Sequence, residues 1–134
     1  MAGIVSTKLG LAFQGNQYDL ERWGRVDDYS ILSDQTLVFL EIETRQKHPC
    51  TNVLKLWPIL ETQLSFRFLL IQVFFPDSPG LNSSRGNLGS WLGEKMEKEF
   101  PSRFFYRRLV ISKQTNEIVE GSKSLEDLLG RLTL

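Results

Sequence analysis

The chain carries one cysteine and one histidine in 134 residues. Cys50 has no partner for an internal disulfide and fits a reducing compartment. With only His48 and Cys50 to offer, a zinc site of the histidine and cysteine type falls short of four ligands. A lone histidine beside no evident serine nucleophile gives no support for a catalytic triad. Phosphate-cradling motifs are missing too: there is no G-x-G-x-x-G or Walker sequence, and the glycine-rich stretch 80–93 has no lysine placed as in a P-loop, so it reads as a mobile loop able to touch a substrate. Neither sign of charge is in excess, with 16 Lys plus Arg against 16 Asp plus Glu, so net charge argues neither for nor against nucleic acid. No apolar run approaches membrane-spanning length, and residues 1–15 lack the profile of a signal peptide. These absences predict a soluble intracellular protein, cytoplasmic in a prokaryote or a virus-infected cell, without a membrane partner.

What is present suffices for one compact domain over residues 1–134, at 41% hydrophobic content. Its most informative feature is a pair of acidic stretches, Asp27-Asp28 and Glu41-Ile42-Glu43, on the arms of a predicted β-hairpin over 26–32 and 37–43, with Ser33-Asp34-Gln35-Thr36 as turn residues. A turn symmetric about Asp34-Gln35 places Asp28 opposite Glu41, and the two-residue side-chain period adds Glu43 to that face. Asp27 then lies on the other face. An odd-numbered turn would instead make Asp27 or Tyr29 the partner of Glu41. Opposed like charges destabilise a sheet unless a cation neutralises them.

The remaining pattern is helix 4–13, a weak strand over 18–23, the hairpin, a polar connector 44–47, and a helix with Val53, Leu56, Trp57 and Leu60 on one face. Thr51 or Asn52 is the expected cap of that helix, and Pro58 should kink or restart it. Residues 65–75 form a dense β-branched and aromatic run, expected of a central strand buried on both faces. A loop over 76–89, a helix over 91–100, a strand over 104–113, a short returning strand over 117–120 and a last helix capped by Ser124 complete the order. The fold class predicted is α/β. Basic residues Arg103, Arg107 and Arg108 interleave with Phe104, Phe105 and Tyr106, which reads as a half-buried strand or as a phosphate-binding stripe.

This order and its acids resemble the core of the PD-(D/E)XK nuclease superfamily over about residues 4–75, with 76–134 as an elaboration. Arg25-Val26-Asp27-Asp28-Tyr29 resembles the family's first signature and Leu37-Val38-Phe39-Leu40-Glu41-Ile42-Glu43 its second, in an acid-x-acid version where lysine usually ends the triplet. The resemblance implies a restriction-endonuclease-like mixed central sheet flanked by helices and a metal-dependent nuclease acting on DNA ahead of RNA. It implies Asp28, Glu41 and Glu43 as ligands of Mg2+ or Mn2+, with Asp27 as the alternative acid. Glu43 serves there as a second ligand or as a base, and Lys55 is a candidate for a catalytic lysine moved onto the crossover helix; its plainer reading is a solvated helix lysine. Gln46, Lys47 and His48 lie close enough in sequence to reach the same site. Hydrolysis of a phosphodiester calls for a hard cation and oxygen ligands, which these residues supply. A chain this short would need a homodimer or a larger complex for sequence recognition. Two other readings remain: a catalytically silent nuclease-like module serving binding or assembly, and a metal-free interaction protein in which Trp23, Trp57 and Trp91 are core or interface residues.

Overall fold

The computed structural model describes residues 2–45 and 48–133. Helix α1 (Ala2–Leu9) ends where Gly10 takes a φ of 68°, well short of Phe13. Strands β1 (Tyr18–Asp19) and β2 (Arg25–Val26) pair as a small antiparallel ribbon around a 3-10 turn at Glu21–Trp23. The hairpin follows as β3 (Asp28–Ile31) and β4 (Leu37–Glu43).

Its register differs from the symmetric expectation. Ile31 pairs with Leu37 and Asp28 with Leu40, so Asp28 does not oppose Glu41. The cause is the loop. The Leu32 N–H donates to the Thr36 carbonyl, Gln35 takes a left-handed φ of 72°, and the Thr36 N–H donates to Asp34 Oδ1. That closes an odd loop over 32–36. A one-residue shift moves every side chain of one arm to the other face.

Beyond β4 the predicted crossover helix is two helices, α2 (Pro49–Leu54) and α3 (Trp57–Thr62). Pro58 has no N–H to continue the first, and its fixed φ suits the first turn of the second. Thr51 and Asn52 are not caps; Pro49 opens α2, and His48 stands at its N-cap without a side-chain bond. Then come β5 (Phe68–Phe74), α4 (Ser84–Glu99), β6 (Phe104–Ile111), β7 (Ile118–Glu120) and α5 (Ser122–Leu132). The last helix starts after Gly121, whose φ is 94°, not at a Ser124 cap.

Five strands form one mixed sheet in the order β3-β4-β5-β6-β7, with the two inner pairings parallel and the two outer ones antiparallel. Helices cover both faces, giving a mixed α/β architecture. Strand β5 is central and wholly buried, as its apolar run requires. On one face Leu69, Ile71 and Val73 join Val5 of α1 and Leu125, Leu128, Leu129 and Leu132 of α5. Each of those leucines contributes roughly 1.5–3 kcal/mol on burial. The other face packs Phe39, Phe68, Leu70 and Tyr106 against Val53, Leu60 and Met96 from α2, α3 and α4.

Helix α4 begins seven residues before the predicted 91, because its glycines are contact residues and not loop signals. A Cβ on Gly86 would lie 1.8 Å from the Gly80 carbonyl oxygen, and one on Gly93 would lie 2.3 Å from Cγ of Tyr106. Ser83 caps the helix by accepting the Gly86 N–H. The stretch 80–93 is therefore largely helix packed on the body of the protein, not a mobile loop. Trp57 is half-buried, edge-on to Phe100 at 5.5 Å, whereas Trp23 and Trp91 are exposed. Among the described residues no helix is long and apolar enough to cross a membrane.

Candidate functional site

The site lies where the apolar rows of the sheet end. Phe39, Leu70 and Tyr106 are register partners across β4, β5 and β6 and belong to the core. Two residues further, the row on the same face is Glu41, Gln72 and Arg108. It sits toward the carboxyl ends of parallel strands, the edge of an α/β sheet where ligands commonly bind. Glu43 follows on that face, and α2 lies over it.

Both glutamates are buried, at 3% and 1% exposure. Lys55, which ends α2, donates its ammonium to Glu41 Oε1 at 2.7 Å, to Asn52 Oδ1 at 3.0 Å and to the backbone carbonyl of Arg25. Glu43 Oε1 accepts from Asn52 Nδ2 at 2.7 Å and from Gln72 Nε2 at 3.2 Å. Gln72 in turn donates to the Pro49 carbonyl and accepts from the Tyr106 hydroxyl at 2.6 Å. Asn52 thus bridges the two halves, with its oxygen on the lysine and its nitrogen on the glutamate. One atom is left out: Glu43 Oε2 is buried with no hydrogen-bond partner among the described residues. A buried carboxylate oxygen without a donor costs free energy unless a proton or a cation satisfies it.

Burial pushes the Glu41 carboxyl up to about 8; the Lys55 charge and hydrogen bond oppose the rise, and the nearby Asp27 and Glu43 charges add to it. The 2.7 Å contact to Lys55 has the length of a charge-assisted bond and is kept by a neutral acid too, with Oε1 accepting from the ammonium and the proton on Oε2. Glu43 is raised by the same loss of water, opposed by its bonds from Asn52 and Gln72. Tyr106 is pushed up to about 12, again by burial, so it stays a neutral donor to Gln72.

The two aspartates separate. Asp27, in the bend between β2 and β3, accepts the Ile42 N–H through Oδ2 at 2.8 Å, directly between the two glutamates in sequence. Asp28 shares the opposite face with Leu40; its carboxylate accepts the Gly15 N–H at 2.9 Å and its own neighbour's, Tyr29, at 2.8 Å. The structure therefore brings together Asp27, Glu41, Glu43 and Lys55, and leaves Asp28 as a loop anchor. Lys55 stands at the end of α2. His48 is exposed, with Nε2 3.4 Å from Arg85 Nη1, and Gln46 and Lys47 lie outside the described residues.

The arginines are engaged within the chain. Arg103 donates to the carbonyls of Leu60, Gln63 and Phe66, which ties the end of α3 to the start of β5. Arg107 pairs with Glu97 at 2.8 Å, and that carboxylate also accepts the Tyr106 N–H on the uncovered edge of β6. Arg108 pairs with Glu120 at 2.8 Å. Asn52, Gln72 and Tyr106 are absent from the sequence reading as site residues. Gln72 had a signal: it is the one polar residue in the middle of the doubly buried run.

The donor set is all oxygen: Asp27, Glu41 and Glu43 carboxylates around the Ile42 peptide. That chemistry suits a hard divalent cation, and the unsatisfied Glu43 Oε2 is a ready acceptor. Among the described residues, however, no three His, Cys, Asp or Glu side chains converge at metal-holding spacing. The cation beside Glu41 here is Lys55. No family model, curated protein or solved structure matches the chain.

Proposed function

We propose that this chain is a divalent-metal-dependent nuclease of restriction-endonuclease-like architecture, hydrolysing phosphodiester bonds of DNA ahead of RNA. The supporting observation is the buried network of Glu41, Lys55, Asn52 and Glu43 at the carboxyl end of β4, with Asp27 on the intervening Ile42 N–H and one buried carboxylate oxygen unsatisfied. The carboxylates that would hold Mg2+ or Mn2+ are Asp27, Glu41 and Glu43, which would have to draw closer than their spacing here to share an ion. When bound, the cation would polarise a phosphate and lower the pKa of a water molecule. Asn52 and Gln72 hold Glu43 by Oε1, which leaves Oε2 open either to a cation or, with no cation on it, to a proton from water. Lys55 supplies positive charge beside Glu41 and offsets negative charge gathering at the site. Recognition of a particular sequence would fall to a second copy or a larger complex.

A second reading is favoured by a specific observation. All three ammonium hydrogens of Lys55 have acceptors within the chain, so the lysine and glutamate also make a self-sufficient structural pair. On that reading the module is catalytically silent and serves binding or assembly. Plasmid cleavage in Mg2+ or Mn2+ separates the two. Under the nuclease reading, Asp27→Ala and Glu41→Ala abolish cleavage, while Asp28→Ala retains it at temperatures where the variant stays folded. Absence of cleavage by the wild-type chain at millimolar metal, on linear and supercoiled DNA and on RNA, sinks the nuclease reading.

A further inference from the structure

Lys55 has two sides. One meets Glu41; on the other it lines an apolar groove of about 470 Å³ with Trp23, Leu54, Trp57 and Pro58. Trp23 and Leu54 are 40% and 53% exposed, unusual values for large apolar side chains that share one depression. The groove and the acidic site are joined by chain as well as by Lys55. Within five residues the segment from Trp23 presents an indole to the groove, gives the Arg25 carbonyl to Lys55 and places Asp27 on the Ile42 N–H. Anything lying in the groove is therefore next to the Lys55 and Glu41 pair.

The groove offers flat apolar surfaces backed by cations. Arg22 stacks its guanidinium 4.7 Å from the Trp23 ring centroid, which braces the indole and puts a positive charge at the rim. Arg25 follows on the same segment, its guanidinium donating to Gln17 Oε1, and Lys55 faces that segment from the end of α2, its ammonium on the Arg25 carbonyl. The acid on the wall, Glu61, accepts the Trp57 indole N–H and fixes that ring, which is wedged edge-on against Phe100. Two indoles and a proline ring beside cations match a base and its phosphate: every base has an apolar face to stack, and each carries a negative charge one sugar away. Paired duplex bases hide those faces.

We propose that this groove is a stacking site for unpaired nucleobases, so that the strand presented to the Asp27, Glu41, Glu43 and Lys55 site is single-stranded or splayed nucleic acid and not intact duplex. The proposal rests on the nuclease reading for the neighbouring site, and its test is built so that the two fail separately.

The test is fluorescence polarisation of a labelled oligothymidylate and of a blunt duplex of equal length, with EDTA present so that nothing is cleaved. The strand binds roughly tenfold or more tighter than the duplex, as expected when a base stack is available only to the strand. Trp23→Ala, and separately Leu54→Glu, lower strand affinity by about 5- to 100-fold, the range for loss of one aromatic stack, and leave duplex affinity unchanged. Both positions are exposed, and circular dichroism melting confirms that each variant is folded. Equal affinity for strand and duplex overturns the proposal. So does unaltered strand binding in both variants, or a groove that takes a proline-rich peptide, read by Trp23-dependent quenching, and no oligonucleotide. Cleavage without strand preference would remove the groove proposal and leave the acidic site standing; strand binding by a protein that cleaves nothing would do the reverse.

Discussion

Glu41→Gln tests the electrostatics of the site without relying on any activity. Glu41 is buried, and its carboxyl is raised from 4.5 to about 8, mainly by loss of water. Between those pH values the folded chain holds a proton that the unfolded chain has released. Stability then falls as pH rises through that window, at about 1.4 kcal/mol per pH unit for a single group. Across the 3.5 units from 4.5 to 8 the upper bound is about 5 kcal/mol, a large part of the 5–15 kcal/mol typical of a domain. Glutamine keeps the shape and, through its amide oxygen, can still accept the bond from Lys55, but it does not titrate. Urea unfolding at pH 5, 6, 7 and 8 should therefore show the variant gaining on the wild type by roughly 1 kcal/mol per unit, with groups common to both cancelling. Parallel pH profiles, with the variant uniformly less stable, would exclude a raised Glu41 carboxyl. They would mean that Glu41 is ionised throughout and bound to Lys55 as a conventional ion pair.

Removing the other partner, as Lys55→Met, leaves a buried carboxyl without its cation. The expected loss is about 2–3 kcal/mol at pH 8 in urea unfolding and less at pH 5, where Glu41 takes up a proton; this is below the usual range for breaking a buried pair because Lys55 retains 13% exposure. Gly93→Ala should cost about 2–3 kcal/mol by the same measurement, because its Cβ would stand 2.3 Å from the Tyr106 ring, whereas an alanine at Gly3, in α1 with open space around it, should cost nothing and stabilise by up to about 1 kcal/mol. Arg103→Ala loses bonds to three carbonyls and should destabilise by about 2–3 kcal/mol without altering the salt dependence of nucleic-acid binding; an altered salt slope would restore Arg103 as a phosphate contact.

The strands that cross the middle of the sheet were legible because their side chains have no choice. The run over 65–75 is apolar at both parities and can only be buried on both faces, and the order of hairpin, crossover and further strands follows from it. The hairpin arms were legible too, but not their register. That depended on Gln35 adopting a left-handed φ, and neither glycine nor asparagine marks the position. From this one residue comes the exchange of Asp28 for Asp27 beside Glu41. Helix α4 was shortened for the opposite reason: Gly86, Gly89 and Gly93 look like loop residues, yet they form the face that meets Gly80, Cys50 and Tyr106. In the sequence Asn52 is a polar residue near the start of a helix, the mark of a cap; its bridging position depends on α2 starting at Pro49, which turns it toward Glu43 and Lys55.

A divalent cation held by Glu41 and Glu43 would take Asp27, and not Asp28, as its third carboxylate. Calorimetric titration of Mn2+ into the metal-free wild type and into Asp27→Ala and Asp28→Ala measures it most directly, with each variant shown to be folded. The expected result is saturable binding by the wild type, a loss of roughly tenfold or more in Asp27→Ala and near-normal binding in Asp28→Ala, the losses scaling as for direct and remote metal partners. No binding by the wild type at millimolar Mn2+, or loss in Asp28→Ala with Asp27→Ala unaffected, would contradict it.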